Sequence, residues 1–170
     1  SSAKIYEFDE ENKVSLLWQT KDHNYNNKND YESMLDDKEL FPNFIIKDAF
    51  DIQATTPTTV ISVPAKIFII GEERINMTRS LGHQGCFAKY GFEKDVIERK
   101  KDTKYKIVAA TDGFWQVMSD EDISFISDNT AEILARKARE RWEQAWTHDN
   151  SFGVITPNIC FPNHNWDDVA

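Results

Sequence analysis

The sequence predicts an α+β fold, in which short β-strands and a few helices occupy separate stretches of the chain. Three observations carry this prediction: a β-prone hairpin at the start, an almost unbroken apolar run over Lys104–Ala110, and one long amphipathic helix in the last third. The chain has 170 residues, of which 40% are hydrophobic and 12% aromatic, so it can bury a substantial core as one domain.

Four segments of the first half are rich in β-branched and aromatic residues and are predicted to be strands: Ala3–Phe8, Lys13–Trp18, Val60–Val63 and Lys66–Ile70. The first two are separated by four polar residues, which is typical of a hairpin. The last two are expected to be separate, because a central strand would not tolerate Pro64. Asp30–Leu35 is predicted to be a short helix capped by Asp30. Irregular structure is predicted over Asp36–Thr59, and a loop over Glu72–Gly91.

The second half begins with a predicted short strand over Asp95–Glu98. Lys104–Ala110 is predicted to be a strand covered on both faces, because its apolar residues barely alternate with polar ones. A Ser-x-x-acid pattern predicts a short helix over Ser119–Ser127. Irregular structure is predicted over His148–Asn165, and Asn165–Ala170 resembles the first residues of a further strand.

Asn129–Trp146 is the clearest helix in the sequence. Asn129 and Glu132 have the spacing of a capping box at its start. Apolar residues recur at helical spacing and predict one face that packs on the core: Leu134, Ala138, Trp142 and Ala145. Charged residues are expected to cover the opposite face: Arg136, Arg139, Glu140, Arg141 and Glu143.

The charge and the cysteines exclude several classes of partner and site. The formal net charge is −9, so no basic field is available to attract a nucleic acid or an anionic membrane. No run approaches the roughly 18 apolar residues that a membrane helix needs. Cys86 and Cys160 lie far apart without CxxC spacing, which argues against a structural zinc site or a disulfide framework. We therefore expect an intracellular, cytoplasmic protein.

Carboxylates at predicted strand boundaries are the best candidates for chemistry. Asp112 follows a strand, and Gly113 after it lets a backbone approach closely, so this position suits a metal ion. The alternative is that Asp112-Gly113 is a turn pair. Asp167 also lies at a strand boundary, whereas Asp120–Asp122 suit a helix N-terminus, where negative charge is favoured. Carboxylates are the ligands of hard cations such as Mg²⁺ and Mn²⁺.

Other catalytic classes find little support. The sequence contains no GxSxG, no P-loop and no GxGxxG. The four histidines show no HxxxH pairing on a helix, which argues against a zinc hydrolase.

Several motifs together resemble the metal-dependent protein phosphatases of the 2C type. Thr111–Asp122, TDGFWQVMSDED, is similar to that family's S/T-D-G-hydrophobic-W-D-V-M/L-S-x-E-E motif. The other similar segments, in the family's order, are Leu16–His23 for L-T-x-D-H, Glu32 for the E-x-x-R-I helix, Arg74–Gly82 for L-x-x-S/T-R-A/S-hydrophobic-G-D, and Asp167–Ala170 for the closing D-N/D-hydrophobic-T. Asp149-Asn150 is an alternative for the closing pair.

The resemblance implies two antiparallel sheets packed as a sandwich and flanked by helices. It implies hydrolysis of phosphoserine and phosphothreonine in phosphoprotein substrates by a centre of two Mn²⁺ or Mg²⁺ ions. Asp112 and Asp167 would be metal ligands, and Gly113, His83 and Asp168 are further candidates. An imidazole suits these hard cations poorly, so a third metal beside His83 is expected to be weak or absent.

The chain also departs from the family. The family's early motifs, with a phosphate-gripping arginine, an E-D pair and D-G-H-G-G, have no counterpart here. Residues 1–170 are therefore expected to be the C-terminal portion of a single phosphatase domain, with the missing N-terminal half as a partner and part of the metal centre outside this chain. The isolated chain is expected to be inactive. Two alternatives remain: an inactive phosphatase-like module that acts as a binding or structural subunit, and an unrelated acidic α+β protein.

Overall fold

The structure, a computed structural model, describes residues 2–36, 44–70, 72–77, 94–150 and 152–161. Within these residues it contains eight strands and four α-helices. The strands are β1 (Ser2–Phe8), β2 (Val14–Gln19), β3 (Phe44–Thr56), β4 (Thr59–Ile70), β5 (Glu73–Ile75), β6 (Lys104–Ala110), β7 (Trp146–Asp149) and β8 (Ile155–Ile159). The helices are α1 (Lys28–Asp36), α2 (Asp112–Val117), α3 (Ile123–Asp128) and α4 (Ala131–Glu143). The described part of the chain is thus α+β, as predicted.

The strands form two mostly antiparallel sheets, which are compatible with a sandwich. The first has the order β2-β1-β6, and the second the order β3-β4-β7-β8, with β5 also pairing to β4. The pairing of β4 with β7 is parallel. The described residues divide into two compact units, one drawn from Ser1–Thr20, Ile52–Val63 and Arg99–Ala170, the other from Lys21–Asp51 and Pro64–Glu98.

The first sheet contains the predicted hairpin. β1 pairs antiparallel with β2, and the Asp9 carboxylate accepts hydrogen bonds from the N–H groups of Glu11 and Lys13 to close the turn. β6 pairs antiparallel with β1 along its whole length, from Ser2 opposite Ala110 to Phe8 opposite Lys104. The strand was correctly predicted, but its coverage on both faces was wrong: Ile107 is 69% exposed. A run without alternation does not distinguish a buried strand from an edge strand with one open face.

The second sheet corrects the irregular structure predicted over Asp36–Thr59. β3 and β4 are long strands that the two residues Pro57-Thr58 join into a hairpin. Their β-branched residues favour the extended strand conformation although apolar and polar residues alternate only weakly. Pro64 lies inside β4, so the predicted break was also wrong. It stands between the residues that pair with β7 and those that pair with β5, so its missing N–H removes no hydrogen bond to either strand.

Three further segments differ from the predictions. Glu73–Ile75, within a predicted loop, forms strand β5. Asp95–Glu98 is not a strand: Val96 is 78% exposed, and two β-branched residues without a face to bury do not suffice. The predicted irregular stretch from His148 contains the end of β7 and all of β8. A turn ordered by Asn150, whose side chain accepts from the N–H groups of Phe152 and Val154, joins these two strands.

Helix α2 was not predicted: Asp112-Gly113, which the sequence also allowed as a turn pair, instead begins this helix. Helices α1, α3 and α4 were predicted near their observed positions, but two of the caps were wrong. α1 begins at Lys28, and its cap is Asn27, whose side-chain oxygen accepts from the Asp30 N–H at 3.4 Å. α4 begins at Ala131 after Thr130, whereas Asn129 ends α3 and donates its side-chain amide to the Phe125 carbonyl at 2.9 Å. The observed cap of α4 lies one residue later than the sequence pattern indicated, because Asn129 is used to end α3.

The core of the first unit joins both sheets to the helices. Its buried residues include members of β1, β3, β4 and β7 and of the helices α2, α3 and α4: Tyr6, Ala54, Val60, Phe114, Val117, Met118, Ile126, Leu134, Ala138, Trp142 and Trp146. The predicted apolar face of α4 is confirmed at Leu134, Ala138 and Trp142, but Ala145 is exposed, since the helix ends at Glu143.

The second unit is held by aromatic contacts and by one buried acid. Tyr31 of α1 packs on Tyr25 and on the fully buried Phe68 of β4, with ring centroids 4.9 and 6.3 Å apart. Asp30 is buried and lies 2.5 Å from Nδ1 of His23. Across the described ranges, no helix is long and apolar enough to cross a membrane.

Candidate functional site

Asp112 lies where the first sheet meets α2. β6 ends at Ala110, directly opposite Ser2 of β1, and α2 begins with Asp112 two residues later. The Asp112 side chain is exposed, whereas the next two residues, Gly113 and Phe114, are buried. The indole of Trp115 donates to the Ser2 carbonyl at 3.0 Å and so joins α2 to the start of β1. The Asp112 carboxylate therefore lies at the surface, and its backbone is held by the buried Gly113 and Phe114 and by the hydrogen bond from Trp115.

Gly113 contacts α4 through its backbone. Its carbonyl oxygen accepts a hydrogen bond of 2.9 Å from Nε1 of Trp142 on α4. This bond occupies part of the oxygen that Gly113 would offer to a cation. Of the two adjacent candidates, the exposed carboxylate of Asp112 is therefore better suited to bind a metal ion.

Beneath α2 lies a buried ion pair between Asp122 and Arg141. The two side chains make a bidentate contact, with two N–O distances of 2.6 Å, and both residues are buried. The Asp122 carboxylate also accepts from the backbone N–H and the hydroxyl of Ser119, each at 2.8 Å. The Arg141 guanidinium donates in addition to the Val117 carbonyl at 2.8 Å. This network joins the C-terminal end of α2 to α4.

The ion pair determines the charge state of Asp122. Burial by itself raises the pKa of the Asp122 carboxyl, but the hydrogen bonds from Arg141 and Ser119 and the positive guanidinium outweigh burial. The pKa of Asp122 consequently lies below its ordinary value, and the carboxylate is ionised at neutral pH.

Sequence reasoning missed this pair. Arg141 was expected on the solvent-facing side of α4, and that prediction was wrong. Arg141 lies seven positions after the buried Leu134, which is almost two full turns of an α-helix, so both side chains lie on the same face. This spacing was the available signal. The Ser119–Asp122 pattern correctly predicted a helix start, but Asp122 also serves Arg141.

A groove of about 410 Å³ runs along β6 towards Ala110 and Phe114, next to the Asp112 motif. Its opposite side is formed by the α3–α4 connection and the start of α4. Lys106 lines the groove and donates to the carbonyls of Ser127 and Asn129 at 2.8 and 2.5 Å. Burial is the largest cause that lowers the pKa of Lys106. The amine is thus used to hold the α3–α4 connection.

The remaining predicted ligands are not in the described part of the chain. Asp167, Asp168 and His83 lie outside the described residues, so their relation to Asp112 stays a prediction. Asp149, the alternative to Asp167, ends β7 opposite Ile155. Among the residues that the structure does describe, no group of three or more histidine, cysteine, aspartate or glutamate side chains is placed to hold a metal.

The donor chemistry at Asp112 nevertheless fits one ligand of a hard divalent cation. An exposed carboxylate on a firmly held backbone is the oxygen donor that Mg²⁺ and Mn²⁺ prefer. Both ions commonly complete their coordination with water and with other carboxylates.

No family model, no curated protein and no solved structure matches this chain.

Proposed function

We propose that this chain is the C-terminal portion of a metal-dependent protein phosphatase of the 2C type. In this proposal the complete domain hydrolyses phosphoserine and phosphothreonine in proteins with two Mn²⁺ or Mg²⁺ ions. The chain supplies Asp112 and Asp167 as ligands, and the sheets and helices described above belong to the sandwich of that family.

The motif Thr111–Asp122 carries the proposal. Its order of strand, Asp-Gly, aromatic pair and Ser-x-x-acid helix start resembles the family over twelve consecutive residues. Three other segments and Glu32 resemble the family in the same order along the chain. Agreement of several spaced motifs is far less frequent by chance than one short match.

The position of Asp112 is compatible with the proposed role. The carboxylate is exposed at the end of a strand, on a helix whose interior side is buried and hydrogen-bonded to α4. A metal ion bound there would supply hydroxide at neutral pH and charge stabilisation at phosphorus. The contribution of this chain is to hold the Asp112 oxygen atoms in place and to offer the groove along β6 beside them.

A phosphatase assay of the full-length protein tests the proposal. We expect hydrolysis of p-nitrophenyl phosphate that requires Mn²⁺ or Mg²⁺. Asp112→Asn should lower kcat by about 100-fold or more, because loss of a residue that merely orients a metal ligand already costs 10- to 100-fold. Asp120→Asn is the matched control, since Asp120 is an exposed acid eight residues further along and should be replaceable without effect.

Full activity of Asp112→Asn with the same metal requirement would refute the metal role. If the wild type shows no turnover with either ion, the alternative of an inactive phosphatase-like module is favoured. A phosphoserine peptide should then be tested for binding rather than hydrolysis.

A further inference from the structure

The last turn of α4 holds α2 at both ends. Two neighbouring side chains do this: the Trp142 indole donates to the Gly113 carbonyl at 2.9 Å, and the Arg141 guanidinium donates to the Val117 carbonyl at 2.8 Å. α2 runs from Asp112 to Val117, so the two hydrogen bonds reach its second and its last residue. Both donors are buried.

α2 depends on such contacts for its position. It has six residues, and a helix this short has little stability of its own. Its location relative to the sheet is therefore set by tertiary packing, which includes the buried Phe114 and Val117, and by the two hydrogen bonds from α4. Gly113 has no side chain that could pack, so its carbonyl is the group through which α4 holds this end of the helix, beside the hydrogen bond from Trp115 to the Ser2 carbonyl of β1.

We propose that Trp142 is a positioning residue for the Asp112 carboxylate, acting through the Gly113 carbonyl. This inference rests on the proposed function, because it assumes that the Asp112 carboxylate binds a metal ion. The Gly113 carbonyl belongs to the peptide group between Gly113 and Phe114, so this hydrogen bond holds the helix backbone one residue after Asp112 and limits how far the Asp112 backbone can shift. Metal ligands have to be held within about 0.5 Å of their productive geometry.

Trp146 offers a matched control. Its indole is buried like that of Trp142 and donates to the Arg141 carbonyl at 2.8 Å, so it makes the same kind of hydrogen bond, but to α4 instead of α2. Trp142→Phe and Trp146→Phe each remove one buried indole N–H and a similar volume. A difference between the two variants in metal binding at Asp112 therefore reports a change in the position of Asp112 and not a general loss of protein stability.

Two measurements on the full-length protein test the inference. Mn²⁺ affinity, from the EPR signal of free Mn²⁺, should fall about tenfold in Trp142→Phe, the low end of the cost of removing a group that orients a metal ligand. It should change less than twofold in Trp146→Phe. Hydrogen exchange of the α2 peptide, measured without metal, should accelerate in Trp142→Phe alone. Should Trp142→Phe fail to fold, 3-benzothienylalanine at position 142 keeps the ring shape and removes only the donor.

Comparing the three variants distinguishes failure of the positioning role from failure of the metal role. If Asp112→Asn abolishes Mn²⁺ binding while Trp142→Phe and Trp146→Phe behave alike in both measurements, the positioning role is overturned and the metal role stands. If Asp112→Asn leaves Mn²⁺ affinity unchanged, the metal role is overturned, and the positioning of a metal ligand with it.

Discussion

Replacing Asp122 by asparagine should destabilise the first unit far more than a typical substitution does. The change keeps the shape of the side chain but removes its charge, so the Arg141 guanidinium stays buried without a counter-charge. Arg141 is 4% exposed, which leaves water little access to compensate. Two contacts of 2.6 Å to the guanidinium and two hydrogen bonds from Ser119 are weakened together.

The expected magnitude follows from the burial of the pair. Removing one partner of a buried ion pair costs about 3–5 kcal/mol, because the remaining charge is uncompensated. Domains of this size have a free energy of unfolding of about 5–15 kcal/mol. Asp122→Asn should therefore remove a large share of it. The double variant Asp122→Asn/Arg141→Met should recover most of the loss, since it leaves no buried charge.

Urea unfolding, followed by far-UV circular dichroism and tryptophan fluorescence together, measures this loss. The matched control is Glu143, which lies on α4 together with Arg141. Glu143 pairs with Arg139 at 3.3 Å, but both side chains are about half exposed or more. Glu143→Gln makes the same acid-to-amide change and should cost only about 0.3–0.5 kcal/mol. If Asp122→Asn costs no more than Glu143→Gln, the reasoning from the buried ion pair is refuted.

Three further predictions concern the same unit. Because the pKa of Asp122 is lowered on folding, the ionised carboxylate stabilises the folded state fully above about pH 4, and this stabilisation is lost as the pH falls through the lower pKa of the folded state. The urea midpoint should therefore decline more steeply below pH 4 in the wild type than in Asp122→Asn. Parallel declines would contradict this prediction. Phe114→Ala should lower the free energy of unfolding by about 3–5 kcal/mol in the urea assay, because Phe114 is 2% exposed. Phe152→Ala should lower it by less than about 0.5 kcal/mol, because Phe152 is 79% exposed. Equal losses would contradict the described core. Gly153→Ala should lower the thermal midpoint by an amount that corresponds to about 1 kcal/mol, because φ at Gly153 is +85°, which an alanine adopts only with strain. A steric clash is not the cause, since a Cβ at Gly153 would contact nothing within 4 Å. An unchanged midpoint would show that the turn adapts.

Much of the secondary structure could be predicted from local pattern. The hairpin of β1 and β2, strand β6 and the apolar face of α4 each follow from residues close together in the sequence. Strand β3 was not predicted in this way, because its apolar and polar residues alternate only weakly. Pro64 illustrates the same limit: whether a strand tolerates proline depends on which neighbour needs its N–H, and the sequence does not contain that neighbour's position.

In the candidate site, too, some features follow from neighbouring residues and others only from tertiary contacts. The sequence alone determined that Asp112 follows a strand, precedes buried aromatic residues and belongs to a motif with Ser119 and Asp122, because these are relations between near neighbours. Only the tertiary structure decided that Asp122 faces Arg141 and that Trp142 reaches the Gly113 carbonyl. Those contacts join residues 19 and 29 positions apart, and they form because burial leaves each polar group without water as an alternative partner.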